Sequence, residues 1–209
     1  AKAITLEEDP PFSLIMRGQP YYALFEFLKH KRNLQILDVG CSYGHLVFAL
    51  ALMGHNVMGT DISETVIKDG KAVFGNELPI FKATIKEFIA NRKGREPDMV
   101  VAMDVIEHLS EPMDFIKDCL SIIRSKGVLF ITTPNRAFFK PESYPHLKVV
   151  RTQEIWFTDM PPVHLSLFTQ KSLEYIAGET DCVARFIEFP GLADLHNEGS
   201  TLAVALIKK

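Results

Sequence analysis

The sequence predicts an α/β fold in which a mostly parallel sheet of seven strands, with one antiparallel edge strand, is covered by helices. Three observations lead to this prediction. Short runs rich in Val, Ile and Leu alternate with segments of helical spacing along most of the chain. The runs are apolar on both faces, as strands of a helix-covered parallel sheet must be. Only a loop of Gly, Asp and Asn separates the last two runs, which indicates a hairpin at one edge.

The elements follow from this pattern in chain order. The predicted strands are 34–39, 57–60, 78–81, 99–103, 127–132, 182–189 and 201–207. Helical spacing covers 45–53, 63–74, 84–92 and 110–124. Ser110 is a good N-cap for the last of these helices, with Pro112 in its first turn and Gly127 beyond its end.

Two segments do not fit the alternation. Residues 1–30 precede the first strand and end in a candidate helix whose aromatic side chains we expect to lie mainly in the core: Tyr21, Tyr22, Phe25 and Phe27. Residues 134–168 hold five of the 12 prolines and six aromatic residues. A connection of this length without regular structure is usually functional. We therefore predict a single domain over residues 1–209, with an N-terminal cap and a substrate lid in these two segments.

Composition and charge exclude several classes of protein. The 209 residues carry 23 Lys and Arg against 26 Asp and Glu, a net charge of −3, which argues against nucleic acid or an anionic membrane as partner. No apolar run approaches the roughly 20 residues of a membrane span, and the first residues lack a secretory signal. The three cysteines form no CxxC pair, so we expect reduced thiols and a cytoplasmic location.

The most informative stretch is residues 36–44, Ile-Leu-Asp-Val-Gly-Cys-Ser-Tyr-Gly, which runs from the first strand into a helix. Gly40 allows a tight turn close to a ligand, and Gly44 lets the helix pack near the strand. Asp61 follows Gly40 by 21 residues, at the end of the second strand. Its carboxylate can accept hydrogen bonds from both hydroxyls of a ribose, and Ile62 could lie against adenine. This spacing favours a cofactor that contains a nucleoside.

Two other classes share parts of this pattern. A dinucleotide fingerprint requires G-x-G-x-x-G, but its second and third glycines are here Ser42 and His45. Asp38 also suits the cationic end of a ligand better than a diphosphate. Residues 40–44 match G-x-S-x-G, the nucleophile elbow of α/β-hydrolases, with Ser42 as the nucleophile. That elbow needs an oxyanion loop on an earlier strand, and the roughly 40 preceding residues contain no convincing strand.

Four ordered stretches resemble motifs of class I S-adenosylmethionine-dependent methyltransferases. Residues 37–44 are similar to motif I, usually D-V-G-C-G-x-G, and residues 97–112 to motif IV with its following helix. Residues 127–135 resemble the fifth strand, and residues 164–169 the H-x-x-x-F-T segment of the branch with ubiquinone-biosynthesis O-methyltransferases. The resemblance implies a Rossmann-like three-layer sandwich with the cofactor over the carboxyl ends of the first strands.

The resemblance also implies which residues bind S-adenosylmethionine. It assigns the methionine part to the first turn, the ribose to Asp61 and the adenine to Ile62. Ser42 replaces the usual middle glycine. After the third strand, where an Asp often binds the adenine amino group, this chain has Lys-Ala-Thr-Ile, so Thr84 or a backbone carbonyl would have to substitute. The cofactor set is Asp38, Gly40, Cys41, Ser42, Tyr43, Gly44, Asp61, Ile62, Thr84 and Met103.

The candidate catalytic residues are Glu107, His108 and His164. Methyl transfer from a sulfonium is an in-line displacement, so a general base is needed only for an acceptor that starts protonated, such as a hydroxyl. Asp104, Glu107 and His108 are spaced i, i+3 and i+4, which would put them on one helical face. With His164 they form a set that could bind Mg²⁺, as similar sets do in small-RNA 2′-O-methyltransferases. We favour a site without metal.

Our leading hypothesis is methyl transfer from S-adenosylmethionine to a small-molecule acceptor, through a hydroxyl oxygen. Three alternatives stay open at this point. One is an RNA-terminal 2′-O-methyltransferase with a divalent metal, and another is an α/β-hydrolase that uses Ser42. The third is a cofactor-binding protein without catalysis, because a fold does not by itself establish a reaction.

Overall fold

The computed structural model describes residues 11–137, 164–187 and 201–209, with the backbone alone at residues 11–17 and 19. Its strands are β1 (Gln35–Val39), β2 (Asn56–Asp61), β3 (Ile80–Lys82), β4 (Met99–Met103), β5 (Val128–Pro134), β6 (Cys182–Phe186) and β7 (Thr201–Lys208). Its helices are α1 (Pro11–Leu28), α2 (His45–Leu52), α3 (Glu64–Phe74), α4 (Ile85–Asn91), α5 (Pro112–Ile122) and α6 (Gln170–Glu179). A short 3₁₀ turn, Ile106–His108, lies between β4 and α5.

The strands form one sheet in the order β3-β2-β1-β4-β5-β7-β6. β1 to β5 are mutually parallel, and β7 runs antiparallel to both β5 and β6. The predicted hairpin edge is therefore confirmed, although the antiparallel strand itself lies one position inside that edge. Helix α6 lies between β5 and β6 in the chain, and a helical crossover leaves β6 parallel to β5. β7 then returns in the opposite direction and pairs with both strands from between them.

Helices on both faces make the fold a three-layer sandwich, as predicted. Alternate residues of each central strand point to opposite faces. In β4, Val100 packs into a core cluster with α5 and α6, while Met99 and Val101 pack into a second cluster with α1, α2 and α3. Both faces of the central strands are thus buried under helices, which explains why the strands are continuous apolar runs.

Some elements differ from the prediction. Helix α5 begins at Pro112 with Glu111 as its N-cap, so the prediction of Ser110 as N-cap is wrong. β3 begins at Ile80, not at residue 78, because Pro79 has no N–H to donate to a neighbouring strand. Helix α6 was not predicted, although Thr169 and Ser172 form a capping box at its start. The described part of β6 ends at Phe186, and the predicted strand residues 188–189 lie outside the described residues.

The N-terminal helix only partly matches the expectation for its aromatic residues. Phe27 packs against the buried Phe130, with 5.7 Å between ring centroids. Tyr21 and Tyr22 are 38% and 44% exposed, so these two rings do not belong to the core. Residues 1–10 of the predicted cap lie outside the described residues.

Both ends of the predicted lid are held at the sheet. Asn135 forms a parallel β-bridge with Phe168, and the amide of Arg136 donates to the carbonyl of Phe168 at 2.8 Å. Residues 138–163, the greater part of the predicted lid, lie outside the described residues. Within the described ranges, no helix combines the length and apolar character needed to cross a bilayer.

Candidate functional site

The turn between β1 and α2 has a left-handed backbone at three positions. The φ angles are 81° at Gly40, 48° at Ser42 and 83° at Gly44. A Cβ added to Gly40 would lie 2.5 Å from Cγ2 of Val105. Without a side chain there, the backbone of the turn can lie directly against the segment that follows β4. The amides of Gly40 and Cys41 donate to the carbonyl of Thr60 at 2.8 and 3.0 Å, which ties the turn to the end of β2.

Two backbone amides fix the carboxylate of Asp61. Its Oδ2 accepts from the amide of Ser42 at 3.0 Å, and its Oδ1 accepts from the amide of Ser63 at 2.9 Å. Each carboxylate oxygen retains a lone pair for a further donor. Ser42, which replaces the usual middle glycine, thus acts through its backbone amide. This amide orients the carboxylate of Asp61, the residue predicted to bind the ribose.

Asp38 is a buried carboxyl group, with 3% of its surface exposed. Burial raises its pKa to about 7, and the charge of Asp61 adds to the effect. No described neighbour acts to lower this pKa. A cationic ligand would offset the free-energy cost of the buried carboxylate charge, so Asp38 fits the role predicted for it.

A cavity of about 600 Å³ opens beside the turn and runs between α4 and α5. Ile62 lines the cavity with 73% of its surface exposed. Its side chain is therefore available to cover one face of a bound adenine ring. Gly40, Asp61, Ile62 and Thr84 of the predicted cofactor set lie in its wall, as does His108 of the predicted catalytic set. The wall also contains Val39, Thr60, Ala83, Ile85, Lys86, Asp104, Val105, Leu109, Ser110, Glu111, Asp114, Phe115 and Asp118.

The remaining residues of the predicted cofactor set, in β1, in the turn after it and at the end of β4, do not line this cavity. Cys41 is buried, and burial raises the pKa of its thiol well above the usual range. Gly44 packs against the start of β3, since an added Cβ would lie 3.1 Å from Cγ2 of Ile80. Tyr43 is half-buried beside the ring of His45. Met103 is half-buried at the end of β4, against the second core cluster.

The structure brings Glu107, His108 and His164 together. One possible ligand atom from each lies within 4.8 Å of those of the other two, and the two imidazole rings meet edge to face. The carbonyl of Glu107 accepts from the amides of Leu165 and Ser166 at 2.7 and 3.1 Å. The end of the predicted lid is therefore fixed to the segment after β4.

Asp104 does not share a helical face with Glu107 and His108, so this part of the prediction is wrong. Its φ is 52°, and it precedes the 3₁₀ turn that contains the other two residues. A turn of three residues is too short to display side chains at i and i+4. Asp104 instead lies at the cavity wall, where its Oδ1 accepts from Oγ1 of Thr132 at 3.0 Å.

The environment of the cluster raises the pKa of Glu107 and lowers the pKa of His164. Glu107 is 1% exposed, and burial together with Asp104 raises its pKa to about 8. Burial and the neighbouring His108 lower the pKa of His164. These shifts favour the protonated form of Glu107 and the neutral imidazole of His164, which can accept a proton. Oε1 of Glu107 and Nδ1 of His164 are buried without a hydrogen-bond partner among the described residues.

Tyr21 lies near the predicted site, a position that the sequence analysis does not predict. Burial raises the pKa of its hydroxyl, and the charges of Asp38 and Asp104 add to this effect. The ring of Tyr21, on α1, therefore lies near Asp38 in β1 and Asp104 after β4. No sequence motif marks it, because α1 reaches the site only through tertiary packing.

The hydrolase alternative lacks its framework in this structure. An elbow at Ser42 needs an oxyanion loop on an earlier strand. From Pro11 onward, the first strand is β1 itself, and a helix precedes it. Ser42 therefore does not have the strand arrangement that this chemistry requires.

Comparison with known proteins supports a different class. A family model described as Methyltransferase domain matches residues 18–184, which is more than half of the chain. The ubiquinone biosynthesis O-methyltransferase of Mesorhizobium japonicum is 37% identical over 106 residues, which cover 50% of this chain and 42% of that protein. The enzyme of the same name from Nitrosomonas europaea is 34% identical over 112 residues, covering 52% and 46%. The chain thus spans less than half the length of these two curated relatives.

Solved structures with low sequence identity have the same fold. The plantazolicin methyltransferase BpumL, in complex with a triazolic desmethylPZN analog and SAH, matches with a TM-score of 0.66 and 17% identity. The match covers 97% of this chain and 87% of that one. Magnesium protoporphyrin IX methyltransferase from Synechocystis PCC 6803 with bound SAH has a TM-score of 0.62 at 15% identity, covering 100% and 90%. The match to the family model and the strand order agree, and the chain belongs to the methyltransferase-domain family of class I S-adenosylmethionine-dependent methyltransferases.

Proposed function

We propose that this chain binds S-adenosylmethionine beside the β1–α2 turn and catalyses methyl transfer to a hydroxyl oxygen of a small-molecule acceptor. One observation carries the cofactor part of the proposal. The carboxylate of Asp61 is held by the amides of Ser42 and Ser63 at the wall of a cavity of about 600 Å³. A ribose needs such a pair of oriented acceptors for its two hydroxyls.

The chain's own residues suit the three parts of this cofactor. Asp38 offers a buried carboxylate to its cationic end, Asp61 binds the ribose, and Ile62 covers the adenine ring. The lack of a side chain at Gly40 lets the turn lie directly against Val105 at the cavity wall. The bound cofactor supplies a methyl group on a positively charged sulfur, so the protein need not activate the methyl donor.

The acceptor side of the proposal rests on Glu107, His108 and His164. A hydroxyl acceptor must lose its proton as the new bond to carbon forms, and a neutral imidazole can take that proton. His164 meets this condition at neutral pH, because burial and His108 lower its pKa. The protonated carboxyl of Glu107 can donate a hydrogen bond that orients the acceptor. The name O-methyltransferase of the curated relatives supports oxygen as the acceptor atom.

Calorimetric titration with S-adenosylmethionine and S-adenosylhomocysteine tests the cofactor. We expect saturable binding that weakens about 10²-fold or more in Asp61→Asn, because hydrogen bonds to a charged acceptor are lost at both ribose hydroxyls. Glu64→Gln is the matched control: this nearby exposed residue forms an ion pair with Lys82, and its replacement should leave binding unchanged. If the folded wild-type chain does not bind either ligand, the proposal is wrong.

The catalytic residues are tested separately on a panel of hydroxylated aromatic acceptors. We expect His164→Ala to lower the methyl-transfer rate about 10²-fold or more, the usual contribution of a general base. Cofactor affinity should change little, because His164 does not line the cofactor cavity. A variant that loses cofactor affinity and rate in parallel would argue for a structural role of His164.

A second candidate function is methyl transfer to the 2′-hydroxyl at an RNA end with a divalent metal. The observation that favours it is the close approach of Glu107, His108 and His164, whose carboxylate and imidazoles are common ligands of divalent cations. Methylation of short RNA that requires added Mg²⁺ and is lost in His164→Ala would support this candidate. Equal methylation of small acceptors with and without a chelator would support the first.

A further inference from the structure

Two adjacent threonines of β5, Thr132 and Thr133, hold the two acids that follow β4. Oγ1 of Thr132 donates to Oδ1 of Asp104 at 3.0 Å, and Oγ1 of Thr133 donates to Oε2 of Glu107 at 2.9 Å. Thr133 is fully buried and Glu107 is 1% exposed, so water cannot replace the second of these bonds.

The hydroxyl of Thr133 determines which oxygen of Glu107 can carry a proton. Among the described residues, this hydroxyl forms one hydrogen bond, to Oε2 of Glu107. A buried hydroxyl donates its hydrogen to the acceptor it has, so Oε2 acts as the acceptor. In the neutral carboxyl group that burial favours, the proton therefore lies on the other oxygen, Oε1. Oε1 is also buried and has no hydrogen-bond partner in the described ranges.

Nδ1 of His164 complements this oxygen. It too is buried without a partner in the described part of the chain. One ligand atom of Glu107 and one of His164 lie within 4.8 Å of each other. A single hydroxyl group can bridge such a distance with two hydrogen bonds of about 2.8 Å, accepting one from Oε1 and donating the other to a neutral Nδ1. A carboxylate or a phenolate has no proton to donate to Nδ1.

We propose that Thr133 is a positioning residue whose hydroxyl keeps the proton of Glu107 on Oε1, so that the site presents one donor and one acceptor to an un-ionised hydroxyl of the methyl acceptor. The inference rests on the proposed function, because it concerns the same methyl transfer. Nδ1 of His164 takes the hydroxyl proton as the oxygen bonds to the methyl carbon and the bond from that carbon to sulfur breaks. Oε1 of Glu107 keeps its proton and orients the oxygen.

Replacing Thr133 tests the hydroxyl itself. Thr133→Val keeps the shape of the side chain but removes the donor, so the carboxyl group of Glu107 can turn and its proton can move to Oε2. We expect kcat to fall about 10-fold, with the Kd of S-adenosylhomocysteine within about twofold of wild type, because only the orientation of the methyl acceptor is affected. Thr133→Ser keeps the hydroxyl and should restore most of the rate.

Thr180→Val is the matched control for the loss of a threonine hydroxyl. Oγ1 of Thr180 donates to the carbonyl of Ile176 at 2.7 Å, at the end of α6. The next strand begins at Cys182, which pairs with Lys208 at the end of the sheet opposite to the site. This variant should lower Tm and leave kcat unchanged.

Two substitutions of Glu107 test the position of the proton. In Glu107→Gln the amide oxygen can accept from Thr133 while the amide nitrogen donates from the place of Oε1, whereas Glu107→Met can do neither. We expect the Gln variant to be at least about 10-fold faster than the Met variant. If Glu107 were a base or a metal ligand, both variants would lose that function and be equally slow.

Steady-state kinetics with S-adenosylmethionine, and with the hydroxylated aromatic acceptor that the wild type methylates fastest, measure all five variants, and circular dichroism checks their folding. An unchanged kcat in Thr133→Val overturns the inference and leaves the proposed function standing. A Ser variant as slow as Thr133→Val, an equal loss of kcat in Thr180→Val, or a Gln variant no faster than Glu107→Met does the same. A wild type that binds S-adenosylhomocysteine but methylates no acceptor of the panel overturns the proposed methyl transfer and the inference with it.

Discussion

At the scale of single residues, two buried aspartates have opposite effects on stability. Burial raises the pKa of Asp38 from 3.8 to about 7. Burial also acts to raise the pKa of Asp98, but hydrogen bonds from the Gln35 amide and Arg124, with the charges of Arg95 and Arg124, lower it overall. Between pH 4 and 7, the folded chain thus holds a proton at Asp38 that the unfolded chain has released. The contribution of Asp38 to stability falls as the pH rises through this range. The contribution of Asp98 is present above the ordinary pKa of an aspartate and is lost as the pH falls below it.

Asp38→Asn is therefore expected to stabilise the ligand-free chain. At pH 8 the gain should be on the order of 1–4 kcal/mol, and it should vanish below about pH 3, where Asp38 is protonated in both states. Asp98→Asn is the matched control and should destabilise at pH 8, because it removes the partner of two arginines. Urea unfolding at several pH values measures both. The Asp38→Asn variant should also bind S-adenosylmethionine more weakly, and a variant that is less stable at pH 8 would contradict the argument.

At the scale of elements, helices α4 and α6 both begin with a capping box. Thr84 pairs with Glu87 in the first, and Thr169 pairs with Ser172 in the second. We expect Thr84→Ala and Thr169→Ala each to lower the free energy of unfolding by about 0.5–2 kcal/mol, since each leaves helix amides without an acceptor. Thr84→Ser and Thr169→Ser keep the hydroxyl and should recover most of the loss in chemical denaturation. If the alanine variants match the wild type, the caps do not stabilise these helices.

The same elements explain how much of the fold was predictable. The buried strands were found because a parallel sheet covered on both sides demands unbroken apolar runs. Helix α6 was missed, although Leu173, Ile176 and Ala177 have helical spacing and are buried. The polar residues of α6 weaken its apolar periodicity, so the capping box at Thr169 indicates the helix more clearly.

The site was predictable where it depends on neighbours in sequence, and not where it depends on packing. Gly40 and Asp61 follow from a local turn and a fixed spacing, and both line the cavity. The helical face expected for Asp104 did not form, because the chain makes only a 3₁₀ turn after it. Tyr21 lies on α1, which reaches the carboxylates of Asp38 and Asp104 only through tertiary packing. Only the tertiary structure could reveal its position.

At the scale of the whole molecule, the two core clusters share the central strands. β1 contributes Ile36 to one cluster and Leu37 to the other. Neither cluster can dissolve without exposing the opposite face of the same strands. We therefore propose that the chain is one cooperative unit, as its prediction as a single domain requires.

This cooperativity gives the last prediction. A ligand that binds only the folded state at 100 times its Kd adds about 2.7 kcal/mol of stability. For a chain of this size, about 2–4 °C of Tm corresponds to each kcal/mol, so saturating S-adenosylhomocysteine should raise Tm by roughly 5–11 °C. Scanning calorimetry should give one transition that moves as a whole, and in Asp61→Asn the same ligand concentration should produce little shift. Two separate transitions would refute the single unit, whereas one transition that no ligand moves would leave the fold intact and refute the cofactor assignment.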